Sequence, residues 1–307
     1  MYKATPAEVK SLRERTAAGL SDCKKALEEC EGDMEKAVDW LRKKGLVAAA
    51  KKAGRVATEG LVGVHVNGTQ GTILEINAET DFVARNELFR NFVETAVKVA
   101  DEKSLDVESL GVANYPGSEQ TVADELKNLI ATVGENMTLR RVAHVKVSDG
   151  VVASYVHNKV APNLGKIGVL VAIESTGDKE KLQEFGKKIA MHIAAANPYS
   201  LSQEDLDPEI LAREKAIAAE KARNEGKKEG FIDKIVEGRI RKFYEEAVLL
   251  EQEFIMSEKT KVKDAVSAFS KEIGAPVNLI GFVKFVLGEG IEKETVDFAA
   301  EVAAQLG

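Results

Sequence analysis

Residue types that do chemistry are present in this chain but scattered. His65, His144, His157 and His192 stand far apart, whereas a metal site read from sequence needs ligands at short fixed spacings. Cys23 and Cys30 are the only cysteines. They lack CxxC spacing, which argues against a thiolate zinc site or disulfide scaffold and fits small packing residues in a reducing compartment. A phosphate-cradling loop needs leading glycines and a Ser or Thr after its lysine, and Gly165-Lys166-Ile167-Gly168 has neither. No GxGxxG follows a strand-like run, and HExxH and GxSxG do not occur. Acidic pairs such as Glu245 and Glu246 fall in charged helix-forming runs, where a solvated face is the ordinary outcome. No constellation supports an enzyme, and no cofactor or metal is expected.

What stands out instead is an aromatic in polar company. Residues 77–87 read NAETDFVARNE, with Phe82 following Thr80 and Asp81. In a single helix from Phe82 to Ala100, Phe82 would share a face with Phe89, Val93 and Ala100, as an ordinary core residue. Asn86 is also a good N-cap, and a helix starting after it leaves ETDFVAR as an ordered loop with Phe82 free to face outward. Both readings are open on residue patterns alone.

The bulk properties set limits on partners. The chain has 307 residues, 44% of them hydrophobic and 30% charged, with a net charge of −7. That length accommodates two or three domains, and the acidic balance disfavours a general affinity for nucleic acid. No run approaches the roughly 18 apolar residues of a membrane helix, and the opening MYKATPAEV has no apolar signal core. A cytoplasmic protein without membrane contact is expected.

The elements that would position Phe82 form an α+β arrangement. Thr5, Pro6 and Glu8 make a capping box for a first helix to about Arg15. Ser21 is placed to cap a second helix through Cys30, and Asp33 a third to about Lys44. Val9, Leu12, Cys23, Leu27, Cys30, Val38 and Leu41 recur at helical spacing, enough for a small three-helix module over residues 1–54, whose end LVAAAKKAGRVATEG reads as helix or linker. From Leu61 the pattern alternates in strands, with a hairpin turn at Asn67-Gly68. Helices follow over Leu88–Ala100 and from about Thr121 to Val133, then a strand, LRRVAHVKV.

That order returns. VVASYVHN and GVLVAIESTGD repeat the hairpin, with His157 answering His65 and Asp178 answering Asp81. Phe185 answers Phe92, and Val262, Asp264, Gly274 and Leu279 answer Val122, Asp124, Gly134 and Leu139. The spacing between matched residues grows from 92 (His65 to His157) to 140 (Val122 to Val262), which places an insertion near residues 200–250. The expected core is therefore one subdomain over 55–148 and a second over 149–200 and 248–289. Residues 201–247, rich in Ala, Glu, Lys and Arg and broken by NEGKKEG, form the insertion as an antiparallel helical hairpin or coiled coil. Residues 290–307 are expected to end in an amphipathic helix with Val296, Phe298 or Ala299, Val302 and Ala303 on its apolar side. No aromatic near STGDKEK matches Phe82, so only one copy carries it.

Long motifs in order, VKSLRERTAAGLSDCKKALEECEGDMEKAVDWLRKKG, TDFVARN, IAMHIAA, VEGRIRKF and GEGIEKETVDFAAEVA, resemble the bacterial elongation factor Ts family over essentially the whole chain. The resemblance implies a module like ubiquitin-associated domains at residues 1–54 and a C-terminal helical module. It implies a guanine nucleotide exchange factor for the GTPase elongation factor Tu, one that speeds GDP release without binding nucleotide itself. Thr80, Asp81, Phe82 and Val83 are implied to enter the GTPase and dislodge its magnesium ion. Lys24, Lys52, Val133, Gly134, His157, Ile255 and Met256 are implied to share the contact. Each keeps a plain structural alternative: solvated lysines, Val133 and Ile255 in the core, Gly134 as a helix C-cap. Whether the hairpin touches the GTPase or a second copy, giving a dimer of heterodimers, is left open.

Overall fold

The computed structural model describes residues 2–16 and 18–292. The C-terminal helix expected over 290–307 therefore lies almost entirely outside the described residues. Three helices open the chain: α1 (Pro6–Thr16), α2 (Leu20–Glu29) and α3 (Met34–Lys52). The capping box forms as expected, Glu8 Oε2 accepting from the Thr5 amide at 2.8 Å and Thr5 Oγ1 from the Glu8 amide at 3.3 Å. Leu12, Cys23, Ala26, Leu27 and Ala37 close a small core, with Cys30, Val38 and Leu41 at its rim. One expectation fails here, and one open reading is decided. Ser21 lies inside α2, whose N-cap is Gly19 with no side-chain bond. Asp33 does cap α3, yet the helix runs on through LVAAAKK to Lys52, because alanine and lysine are strong helix formers and nothing breaks the run before Gly54.

Two antiparallel sheets follow. The first has the order β3-β2-β1-β5, and the second β4-β6-β7. Strands β1 (Glu59–Asn67), β2 (Gln70–Ala78) and β3 (Met137–Lys146) belong to the first. The second comprises β4 (Gly150–His157), β6 (Ile167–Glu174) and β7 (Asn278–Val286). The short β5 (Leu164–Gly165), between β4 and β6 in the chain, crosses to pair with β1. The β1–β2 turn is Gly68-Thr69, one residue beyond the expected pair, with Gly68 at φ +61°.

Alternation along the strands builds four layers, because successive side chains face opposite ways. Leu61, Leu74 and Ile76 face α4 (Glu87–Lys103), α5 (Val107–Val112) and α6 (Val122–Val133). Val62, Val64 and Ile73 face the other way, onto Val152, Val156, Leu170 and Phe285 of the second sheet. Val151, Val169, Val171 and Ile173 turn outward under α7 (Lys179–Ala196) and α10 (Val262–Ile273). The sheets approach closely at two glycines: a Cβ on Gly71 would meet Val152 at 2.7 Å, and one on Gly168 would meet Val62 at 2.7 Å. The short α5, which buries Leu110, was not foreseen, since six residues carry too little periodicity to read.

The duplication is visible in the ladders. Each copy bulges at the same place, between Glu75 and Ile76 and between Ala172 and Ile173. Gly60 and Gly150 occupy matching positions with positive φ, pressed against the carbonyls of Ile76 and Ile173. This register corrects two sequence matches. His65, opposite Thr72, corresponds to Tyr155, opposite Val169, so His157 does not answer His65. Asp178 accepts from the Lys181 amide as the N-cap of α7, the role Asn86 plays for α4, so it does not answer Asp81. The Gly134–Gly274 and Leu139–Leu279 matches hold, both glycines being left-handed C-caps, and so does Phe92–Phe185, since α4 and α7 end on the left-handed caps Ser104 and Asn197, equally far beyond each ring.

The insertion leaves and rejoins the body at one point. Ser200 bridges Val248, and between them run α8 (Pro208–Asn224) and α9 (Glu229–Ala247), packed on each other through Ala218, Ala222, Ile232 and Ile240. Arg239 spans the two helices to Glu225 at 3.0 Å.

Candidate functional site: the Phe82 loop

Phe82 does not join the helical stripe. Asn86 Oδ1 accepts from the amides of Leu88 and Phe89, so α4 starts at Glu87, and a single 3-10 turn over Val83–Arg85 precedes it. The single-helix reading thus fails because Asn86 takes an extended backbone (ψ 127°) to cap. Phe82 is left 73% exposed. Val83 and Ala84, directly after it, are buried in the first core, so Val83, expected to enter the partner with Phe82, is held by its own core instead. The ring is therefore presented by a backbone anchored one residue later.

The other side of the loop is tied by carboxylates. Glu135 accepts from the Thr80 amide at 2.9 Å and from the Thr80 hydroxyl at 2.8 Å. In return, Glu79 accepts from the Asn136 amide and pairs with Arg55 at 3.4 Å. The Asn136 side chain donates to the Arg55 carbonyl at 2.7 Å. Asp81 and Phe82, both exposed, sit between this polar clamp and the buried Val83.

Of the other candidates, Lys52, Val133 and Gly134 gather beside the clamp. Gly134 caps α6 at φ +90°, and Lys52 Nζ lies 3.7 Å from where a Gly134 Cβ would stand. Val133 packs partly into the first core. Contact of α3 with α6, with Gly45 against Ala131, is what brings Lys52 there. Lys24 is exposed on α2, with Glu28 3.9 Å away. His157 is exposed at the end of β4, its Nδ1 3.1 Å from the Tyr155 hydroxyl. Ile255 and Met256 are 49% and 44% exposed, which removes the core alternative for Ile255. Among the described residues no hydrogen bond or ion pair joins these four to the Phe82 loop.

Sequence reading missed the residues that do the holding. Glu135 and Asn136 follow Gly134 directly, where the matching residues of the second copy are Ala275 and Pro276; that difference was the available signal. His192 was left unassigned, yet it is fully buried and fixes the segment presenting Ile255. Its Nδ1 accepts from the Ile255 amide at 3.3 Å, so Nε2 carries the proton toward Gln252 Oε1 at 2.9 Å. Burial pushes its pKa down, only partly offset by the Gln252 bond.

An exposed aromatic on an anchored, clamped loop holds out a large apolar surface that is already ordered. The chain belongs to the elongation factor Ts family. The family model described as elongation factor TS matches residues 79–289. Elongation factor Ts of Rhodospirillum centenum is 59% identical, each chain covered in full. That of Paramagnetospirillum magneticum is 58% identical over 100% of this chain and 98% of its own, and that of Rhodospirillum rubrum 56% over 100% and 99%. Among the described residues no helix is long and apolar enough to cross a membrane.

Proposed function

We propose that this chain is a guanine nucleotide exchange factor for elongation factor Tu in translation elongation, working in the cytoplasm by docking rather than by bond chemistry. Family membership supports the partner, and the 73% exposure of Phe82 on an anchored loop carries the mechanism. A GTPase holds its nucleotide through a phosphate loop and magnesium, so a side chain driven into that neighbourhood loosens both. Phe82 is the wedge, Asp81 the charge that disturbs the magnesium site, and Thr80 and Val83 the two anchors. By linkage, the factor weakens nucleotide binding as much as nucleotide weakens the factor. Burying one Phe is worth about 1.5 to 3 kcal/mol, too little for the whole coupling. Lys24 on the module resembling ubiquitin-associated domains, Lys52, Val133, Gly134, His157, Ile255 and Met256 share the rest, with the C-terminal helical module and the coiled-coil hairpin as further contacts.

Stopped-flow release of labelled GDP from elongation factor Tu tests this. Release should accelerate with added protein, and Phe82→Ala should lower the limiting rate by about ten- to a hundredfold, the equivalent of one buried Phe. Unchanged release with the wild-type chain would leave only a binding or scaffolding role.

A further inference from the structure

We infer that Glu135 is a positioning residue for exchange, holding the Phe82 loop in its docking geometry through Thr80; this rests on the exchange role proposed for Phe82. The duplication supplies an internal comparison. In the second copy the strand-to-helix connection shrinks to a short turn between Glu174 and the Asp178 cap, with no aromatic. There Ala275 stands at the position of Glu135 and Pro276 at that of Asn136, as the shared bulge and the paired Gly134 and Gly274 caps fix. Alanine has no carboxylate to receive a loop amide, and proline has no amide to return the bond. Instead that turn is packed: a Cβ on Gly177 would meet Ile273 at 2.6 Å and Ala275 at 3.3 Å. The copy with the extended loop carries the clamp, and the copy without the loop lacks both halves of it. Glu135 holds the Thr80 amide and hydroxyl at once, which fixes the backbone two residues before the wedge. The anchor at Val83 fixes it one residue after. With both ends held, Phe82 meets its partner without first ordering the loop.

The test is Glu135→Ala in the full chain, with and without Phe82→Ala, in the same GDP-release assay. The limiting rate should fall on the order of tenfold, as expected for losing two bonds to a charged acceptor. In the Phe82→Ala background the same change should cost clearly less, since only Asp81 on the held loop is left to misplace. Glu135→Gln, which keeps one acceptor oxygen, should recover part of the rate. A merely structural role would lower the folded fraction, raising the half-saturating concentration while leaving the limiting rate alone. An unchanged limiting rate, or an equal loss in the Phe82→Ala background, would overturn the inference. Amide exchange at Thr80 in the free protein reads the clamp apart from the exchange role. Faster exchange there in Glu135→Ala, with β2 and α6 amides unchanged, supports the clamp, and unaltered protection refutes it even if Phe82→Ala itself slows release.

Discussion

At the scale of single residues, the neighbours Phe82 and Val83 separate function from stability. Phe82 is 73% exposed and Val83 2%. Phe82→Ala should therefore change the unfolding free energy by no more than about 0.5 kcal/mol, the range of surface substitutions. Val83→Ala removes two buried carbons from the first core and should cost about 1 to 2 kcal/mol. Chemical denaturation of both variants checks this; a Phe82→Ala loss as large as that of Val83→Ala would mean the ring packs after all. The residue pattern held both readings of Phe82, since spacings of seven, eleven and eighteen to Phe89, Val93 and Ala100 return to one helical face. The decision lay in one capping bond at Asn86, a local competition between side chain and helix that periodicity does not register. Glu135 was illegible for a different reason: its partner Thr80 is far away in sequence, and only folding of β3 beside β2 brings them together.

At the scale of elements, capping and alternation were readable and connections were not. Asp33, Asn86 and Thr121 each cap the helix that follows them. The repeat was legible through apolar spacing, but the His65–His157 match was off by two positions because strand register is set by Gly60 and Gly150 against the bulges. The segment after α9 shows how a buried group holds a connection. Neutral His192 joins α7 to the stretch carrying Ile255 and Met256 by accepting the Ile255 amide. Its folded pKa lies below the ordinary value near 6.5. The contribution is therefore complete above about pH 6.5 and is lost as pH falls below it toward the folded pKa, where Nδ1 gains a proton and can no longer accept. Thermal midpoints measured from pH 7.5 to 5 should drop more steeply for the wild-type chain than for His192→Gln. Amide exchange at Ile255 should rise over the same interval; parallel pH profiles for the two proteins would remove His192 from this role.

At the scale of the whole molecule, the two copies are joined by more than the apolar faces of their sheets. β5 lends two residues of the second half to the edge of the first sheet. Behind it, Glu75, fully buried on β2, gathers Arg140 at 2.8 Å, Arg141 at 2.6 Å and the Gly288 amide at 2.8 Å. Arg141 also donates to the Val286 carbonyl at 3.0 Å and lies over the Phe285 ring at 4.2 Å. Residues 285–288 end the second sheet, so a carboxylate of the first half holds the last strand of the second. Its repeat counterpart is Ala172, so this ion cluster, like the Phe82 loop, is present in one copy only. Burial alone would push the Glu75 pKa up; the bonds from Gly288, Arg140, Asn77 and Arg141 outweigh it and hold the carboxyl below its usual range. A lowered folded pKa stabilises above the unfolded value, near 4.3, and the contribution is lost as pH falls through the folded pKa. Glu75→Gln keeps the shape and the acceptor oxygen but leaves Arg140 without its carboxylate and Arg141 with only Glu289, at 3.4 Å. The expected cost is about 2 to 4 kcal/mol, below that of breaking a fully buried pair because both arginines reach solvent. The halves should also uncouple. Amide signals followed with temperature report the two sheets separately, from Ile73 and Leu74 of β2 and from Val169 and Val171 of β6. In Glu75→Gln the two signals should melt at separate temperatures, and the calorimetric enthalpy should exceed the van't Hoff value by more than in the wild type. Coincident melts at the wild-type midpoint would mean the interleaved β5 and the glycine-tight sheet contact suffice to hold the copies as one unit.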